Sequence, residues 1–242
     1  MLGVIFTGGE GPAPRIIRRV IETDAADSQK RVLIIAADSG LTAAEDAGFK
    51  PDWIIGDMDS LKDGGRLASY PPGRVIRHER DKDFTDTELA FSLAADQGCG
   101  EIWIIGGGGG RIDHLFGIRS MFERAVFPKR WITSVDDIYC IEADNAPLNA
   151  EKVEQGTKKS ECDLRRCLET GANVSVFPLG EGAWEARSTG LKWPLDNVKW
   201  NRGFFGLSNI ASRGVFSVKA VKGRFMIILP LNNPEDNAAD NK

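Results

Sequence analysis

The 242 residues leave room for one large domain or two modest ones. At 42% apolar and 27% charged residues, the chain can build an ordinary core without disulfide or metal staples. A net charge of −4 is too mild for a nucleic-acid or membrane surface, and no apolar run reaches the roughly 18 residues of a membrane helix.

Strand and helix signals alternate through the first half. LGVIF reads as a strand, followed by the loop TGGEGPAP and a helix opening near Pro14, a residue favoured in a first turn. RVLIIAA is a second strand, and Leu41 to Ala47 a short helix closed by Gly48. DWIIG gives a third strand and RVIRH a fourth. Thr85 to Gln97 has helical apolar spacing, with Thr85 and Glu88 placed as a capping box. EIWIIGG is another strand, and Asp113 to Phe127 another helix. This alternation predicts a parallel sheet covered on both faces.

From about Trp131 the texture changes. DIYCIEA, NVSVFPL, AWEARST, GVFSVKAV and RFMIILPL are short, β-branched or aromatic, and separated by turn residues. They predict an all-β sandwich or roll. The Lys/Glu-rich stretch 145–170 reads as a surface insertion, with a helix around Ser160 to Leu168. The predicted layout is an N-terminal α/β domain over 1–132, a β-sandwich domain over 133–232, and a flexible polar tail over 233–242. Four cysteines without C-x-x-C spacing, and an N-terminus unlike a signal peptide, predict free thiols in the cytoplasm.

A series of aspartates follows the apolar runs: Asp38, then Asp57 and Asp59, then Asp81, Asp83 and Asp86, then Asp113. In a parallel sheet the strands' carboxyl ends share one edge, where ligands bind. Carboxylates crowded there repel unless a cation joins them, and oxygen-only ligands suit Mg²⁺ rather than zinc. The sequence thus points to a metal-dependent site for a phosphorylated ligand.

Single motifs are weaker. G-D-M-D-S (Gly56 to Ser60) puts two carboxylates within reach of one metal, but its residues also suit a solvated turn. D-K-D-F-T-D (Asp81 to Asp86) stacks acids at a helix entrance, where capping alone favours them, and Lys82 could meet a phosphate. The sharpest motif is G-G-G-G-G-R-I-D-H (Gly106 to His114). Its glycines let backbone amides approach an anion, Arg111 offers a planar fork, and Asp113 and His114 open a helix whose amide end favours anions. No Walker A lysine follows. The two histidines, His78 and His114, lack zinc-ligand spacing. In the second half, Trp193 could stack on a flat ring, and Ser208 and Asn209 could bond its edge, or all three could be core and turn residues.

Taken in order, A-D-S-G, P-D-W-I-I-G-D-M-D-S, D-K-D-x-T-D, G-G-x-G-G-R-x-D-H, G-L-K-W-P-L and G-L-S-N resemble the motifs of thiamine pyrophosphokinases, from the first strand to about residue 230. The resemblance implies an α/β domain followed by a β-sandwich. It implies a homodimer whose active sites are shared between subunits, and transfer of pyrophosphate from ATP to thiamine with Mg²⁺, giving thiamine diphosphate and AMP. It assigns Asp57, Asp59 and Asp86 to the metal, and Asp38 and Asp113 to the same site. Arg111 goes to the phosphates, with Ser39, Gly107, Gly109, Gly110 and His114 along the nucleotide. Trp193, Ser208 and Asn209 go to the thiamine pocket. Asp113, Asp86 and water all stay open as acceptors of the hydroxyl proton. Ser39 stands where a glycine is common and Met58 where an aromatic is common. Rival readings are a pyrophosphokinase for another heterocyclic alcohol such as a hydroxymethylpterin, a non-catalytic sensor, and a structural protein.

Overall fold

The computed structural model describes residues 1–58, 65–79, 81, 83–144 and 162–231. They form two compact units, Met1–Met121 with Trp131–Ser134, and Phe122–Arg130 with Val135 onward.

The first unit is an α/β layer structure. Strands β1 (Leu2–Phe6), β2 (Val32–Ala37), β3 (Trp53–Gly56), β4 (Val75–Arg77) and β5 (Glu101–Ile105) lie in the order β5-β1-β2-β3-β4. Every pairing among them is parallel. The short strand β6 (Arg130–Ile132) flanks β5. Helices α1 (Pro14–Ser28), α2 (Gly40–Asp46), α3 (Asp86–Asp96) and α4 (Ile112–Met121) complete it.

Period-two alternation along β1 decides which helix meets which face. Leu2, Val4 and Phe6 enter a buried cluster with Ile17 and Ile21 of α1 and Ala44 of α2. On the opposite face, Gly3 lies against Ala94 and Cys99, where a Cβ would come within 3.0 Å of the Cys99 sulfur. Helix α3 therefore covers β1 closely, with Ala90 and Ala94 fully buried. Its start is the expected capping box. The Thr85 hydroxyl accepts from the Glu88 amide at 3.2 Å, and the Glu88 carboxylate accepts from the Thr85 amide at 2.9 Å.

The second unit pairs two antiparallel sheets. One runs β11 (Gly206–Ile210), β9 (Asn173–Leu179), β13 (Arg224–Pro230), β7 (Asp136–Glu142). The other runs β10 (Glu185–Thr189), β12 (Val215–Lys222), β8 (Asp163–Cys167). Tyr139, Val176, Phe225 and Ile227 of the first meet Leu164, Ala186, Phe216 and Val218 of the second in one core. This is the predicted sandwich.

Two predicted elements differ. The helix placed around Ser160 to Leu168 is instead strand β8, because Leu164 and its neighbours alternate between core and solvent and pair with β12. The helix predicted to reach Phe127 stops at Met121, and Pro128 already disfavours helical geometry at the residue before it. Strands β6 and β11 were not anticipated. Most of the Lys/Glu-rich stretch, at 145–161, and the tail at 233–242 lie outside the described residues. Among the described residues no helix is long and apolar enough to cross a membrane.

Removing the cap should be measurable. Thr85→Ala is expected to lower unfolding free energy by about 1 kcal/mol. In thermal unfolding this reads as a fall of about 2–4 °C in Tm, while Thr85→Ser stays close to wild type.

Candidate active site

In the order β5-β1-β2-β3-β4, the chain moves one way from β1 through β4, then returns to the other side of β1. The loops after β1 and β5 therefore part in opposite directions, and a crevice opens between them. Both loops are glycine-rich, and they are laced together. The Gly107 amide donates to the Gly8 carbonyl at 2.8 Å, while Glu10 and Gly108 exchange amide–carbonyl bonds at 2.6 and 2.9 Å. At Gly106, with φ +96°, space requires glycine, since a Cβ would sit 2.4 Å from the Thr7 carbonyl oxygen; at Gly109 the left-handed φ of +63° favours it.

Beside this crevice the ends of β2 and β3 each deliver an aspartate. Asp38 follows β2 in the left-handed region, at φ +47°, and its amide donates to the Ile55 carbonyl at 2.9 Å. Asp57 follows β3 and Asp86 opens α3. One carboxylate oxygen from each of Asp38, Asp57 and Asp86 lies within 4.8 Å of the other two, and all three residues are half-buried. The Asp38 Oδ1 is buried and has no hydrogen-bond partner among the described residues. Next to Asp57, Met58 adopts φ +64° and buries its side chain among Ala36, Leu41, Ile54 and Tyr70.

Of the acids expected at the metal, the structure brings Asp57 and Asp86 together and supplies Asp38 as the third. Asp59 and Lys82 lie outside the described residues. Asp113 is not in the trio. Its two oxygens take the Arg111 fork, with Nε 3.1 Å from Oδ1, and Oδ1 also accepts the His114 amide at 3.0 Å. The hydrogen bond from Arg111 lowers the Asp113 carboxyl below its ordinary range, and the same bond raises Arg111. Arg111, Asp113 and His114 are all exposed. Ser39 sits under the β1 loop, where a Cβ on Gly8 would lie 2.4 Å from its hydroxyl.

In the second unit, Trp193 is 52% exposed, with Lys192 Nζ 4.6 Å from its ring centre. Asn209 is buried, and its amide is spent on backbone. Its Oδ1 accepts from the Trp193 and Ile210 amides at 3.1 and 2.8 Å, and its Nδ2 donates to the Trp193 carbonyl at 2.6 Å. Asn209 thus fastens the segment that presents Trp193. Ser208 has φ +55°, at a register shift of β11 against β9, and its amide donates to the Ser175 hydroxyl at 3.1 Å.

Two family models match the chain: thiamin pyrophosphokinase, catalytic domain, over residues 27–133, and thiamin pyrophosphokinase, vitamin B1 binding domain, over 161–223. The chain is an enzyme of the thiamine pyrophosphokinase family. It is 29% identical to the thiamine pyrophosphokinase of Bacillus subtilis over 195 residues, 78% of this chain and 84% of that protein. To thiamine pyrophosphokinase 2 of Arabidopsis thaliana it is 27% identical over 71% of its length, and spans 62% of that longer protein. The crystal structure of thiamin pyrophosphokinase from Geobacillus thermodenitrificans superposes with a TM-score of 0.69 at 25% identity, covering 97% of this chain and 99% of that one. The enzyme from Candida albicans shares the fold, at a TM-score of 0.61 and 15% identity.

For this thiamine pyrophosphokinase family member, the residues fit a hard divalent cation. The donors brought together are all carboxylate oxygens, and Asp38 among them has a buried oxygen with no partner among the described residues, which is costly unless something positive meets it. Sequence reasoning passed over the T-G-G-E-G loop (Thr7 to Gly11), which forms half of the crevice. Its signal was topological: the strand at a switch point must contribute its following loop. Thr87, buried behind Asp86, gave no signal.

Crowded carboxylates make a prediction about the protein without metal. Asp38→Asn removes one of three mutually repelling charges, so its Tm should rise by about 2–4 °C. A cation site there predicts that Mg²⁺ raises the Tm of the wild type but not that of the variant. A lower Tm without metal would show that Asp38 is stabilised by its neighbours rather than strained by them.

Proposed function

We propose that this chain transfers the pyrophosphoryl group of ATP to the hydroxyl of thiamine, giving thiamine diphosphate and AMP, and that it requires Mg²⁺. The observation that carries the proposal is the carboxylate trio Asp38, Asp57 and Asp86 at one sheet edge, beside two interlaced glycine loops. Family membership supplies the substrates, and the site supplies the chemistry they need.

Asp57 and Asp86 hold the cation, with Asp59 as a further ligand and Asp38 closing the set. Bound there, Mg²⁺ would neutralise charge on the phosphate oxygens. Arg111 and the amides of Gly109 and Gly110 donate to phosphate oxygens, supplying the preorganised dipoles on which such a transfer depends, while Gly107 lines the nucleotide with its own amide tied to Gly8. Ser39 and His114 border the nucleotide. A carboxyl held below its ordinary range is a poor proton acceptor, so Asp113 orients the Arg111 fork rather than taking the thiamine proton. Trp193 stacks on the pyrimidine ring and Ser208 meets its edge, with Asn209 keeping Trp193 in place.

The enzyme works as a homodimer, each site using the α/β domain of one copy and the β domain of the other. Half-exposed Trp193, Phe205 and Leu207 suit a surface that another copy covers. Its location is the cytoplasm, which agrees with four unpaired cysteines.

The test is chromatography of a reaction holding the protein, ATP, Mg²⁺ and thiamine. Equal, metal-dependent appearance of AMP and thiamine diphosphate is expected, and Asp57→Ala should lower kcat/KM by about 10²–10⁴. ATP consumed with hydroxymethylpterin but not with thiamine would assign the sister activity, and no turnover with either would leave a binding protein. Full activity at the 26.4 kDa monomer mass in light scattering would exclude shared sites.

A further inference from the structure

Thr7 directly follows β1 and Thr87 is the second residue of α3, yet their hydroxyl oxygens lie 2.6 Å apart. Both are buried, at 8% and 9% exposure, and neither hydroxyl has another hydrogen-bond partner among the described residues. Two buried hydroxyls are costly unless they satisfy each other. An apolar pair of similar volume would fill this space without that demand, so the two threonines are not explained by packing alone.

Their location suggests what they do. Helix α3 is held over β1 at both ends. At one end Gly3 admits Ala94 and Cys99; at the other Thr7 meets Thr87. Van der Waals contact at Gly3 tolerates sliding along the strand, whereas a short hydrogen bond fixes distance and direction. Successive helical side chains diverge by about 100°. With Thr87 turned to the sheet, the preceding Asp86 is turned toward the sheet's edge, where it meets Asp38 and Asp57.

We propose that the Thr7–Thr87 hydroxyl pair is a latch that sets the position of α3, and through it holds Asp86 in register with Asp38 and Asp57. Both threonines are positioning residues for the divalent cation. The same bond ties the acids to the glycine loop that begins at Thr7, so cation and phosphate sites share one reference point. The inference rests on the reading of the three acids as a cation site, and its test separates the two.

The experiment measures Mn²⁺ binding to the purified full chain by electron paramagnetic resonance, with Tm recorded for each variant without metal. Asp86→Asn serves as the control for the cation site. Thr7→Val and Thr87→Val each strand one buried hydroxyl. They should weaken Mn²⁺ binding about threefold to tenfold, the size of one hydrogen bond, and lower Tm. Thr87→Ser keeps the hydroxyl and should bind as the wild type does. The double variant Thr7→Val/Thr87→Val has no stranded hydroxyl and should regain Tm, yet still bind Mn²⁺ weakly. In turnover, the latch variants should need more Mg²⁺ while keeping kcat at saturating metal. If Asp86→Asn loses Mn²⁺ while the double variant binds within about twofold of wild type, below the effect of one hydrogen bond, the latch is wrong and the cation site stands. The latch is equally wrong if Thr87→Ser, which keeps the hydroxyl, fails as Thr87→Val does, since the hydroxyl would then not be what holds α3. If Asp86→Asn binds Mn²⁺ normally, the cation reading itself fails and the latch with it.

Discussion

Three carboxylates with oxygens inside 4.8 Å of one another repel, and the rest of the first unit is arranged to hold them there. At that spacing each pair costs between about 1 kcal/mol in water-like surroundings and about 3 kcal/mol at an effective dielectric near 20. A chain with the usual small net stability can carry that load only on rigid supports. The supports are the two central strands and one helix. Asp38 and Asp57 leave β2 and β3, which are paired in parallel register, Ala37 opposite Ile55. Asp86 leaves the capped start of α3. No loop has to find these positions by itself, and a site built on strands and helices is more accurately placed than one built on loops.

The same economy governs the two glycine loops beside them. Loops after β1 and β5 lie where the sheet changes direction, and their backbones approach so closely that Gly106 has no room for a Cβ. Mutual amide–carbonyl bonds turn two flexible glycine segments into one surface. Glycine's conformational freedom, a cost in most of the fold, is here offset by bonds to the neighbouring loop. Arg111 stands beside this surface with its fork held by Asp113, which limits its side-chain freedom.

How much of this could be read from residues alone follows from what each signal depends on. Strand-end aspartates were legible because apolar runs mark buried strands, and parallel strands must end at one edge; hence Asp38, Asp57 and Asp86 could be named before their meeting was seen. Thr85 and Glu88 were legible because capping is local. What escaped was non-local. Strand β8 looked helical because Arg165 and Arg166 dilute its alternation, and only pairing with β12 fixes its period. The 80-residue separation of Thr7 and Thr87 leaves no trace in either neighbourhood. Asn209 was recognisable as a member of a motif, but whether its amide faces a ligand or the backbone depends on a fold that brings Trp193 beside it.

Asn209 also shows that the second unit solves its problem as the first does. A half-exposed tryptophan is useful for stacking only if its backbone does not drift, and an exposed ring has few neighbours to hold it. The buried carboxamide grips both the amide and the carbonyl of Trp193, and the Ile210 amide completes its oxygen's coordination. Rigidity is thus placed behind the exposed ring, in a buried polar group whose oxygen and nitrogen both have backbone partners. In the first unit the hydroxyl pair behind Asp86 has the same relation to the carboxylate it serves. Side chains can then remain open to solvent, because their positions are settled by buried partners behind them.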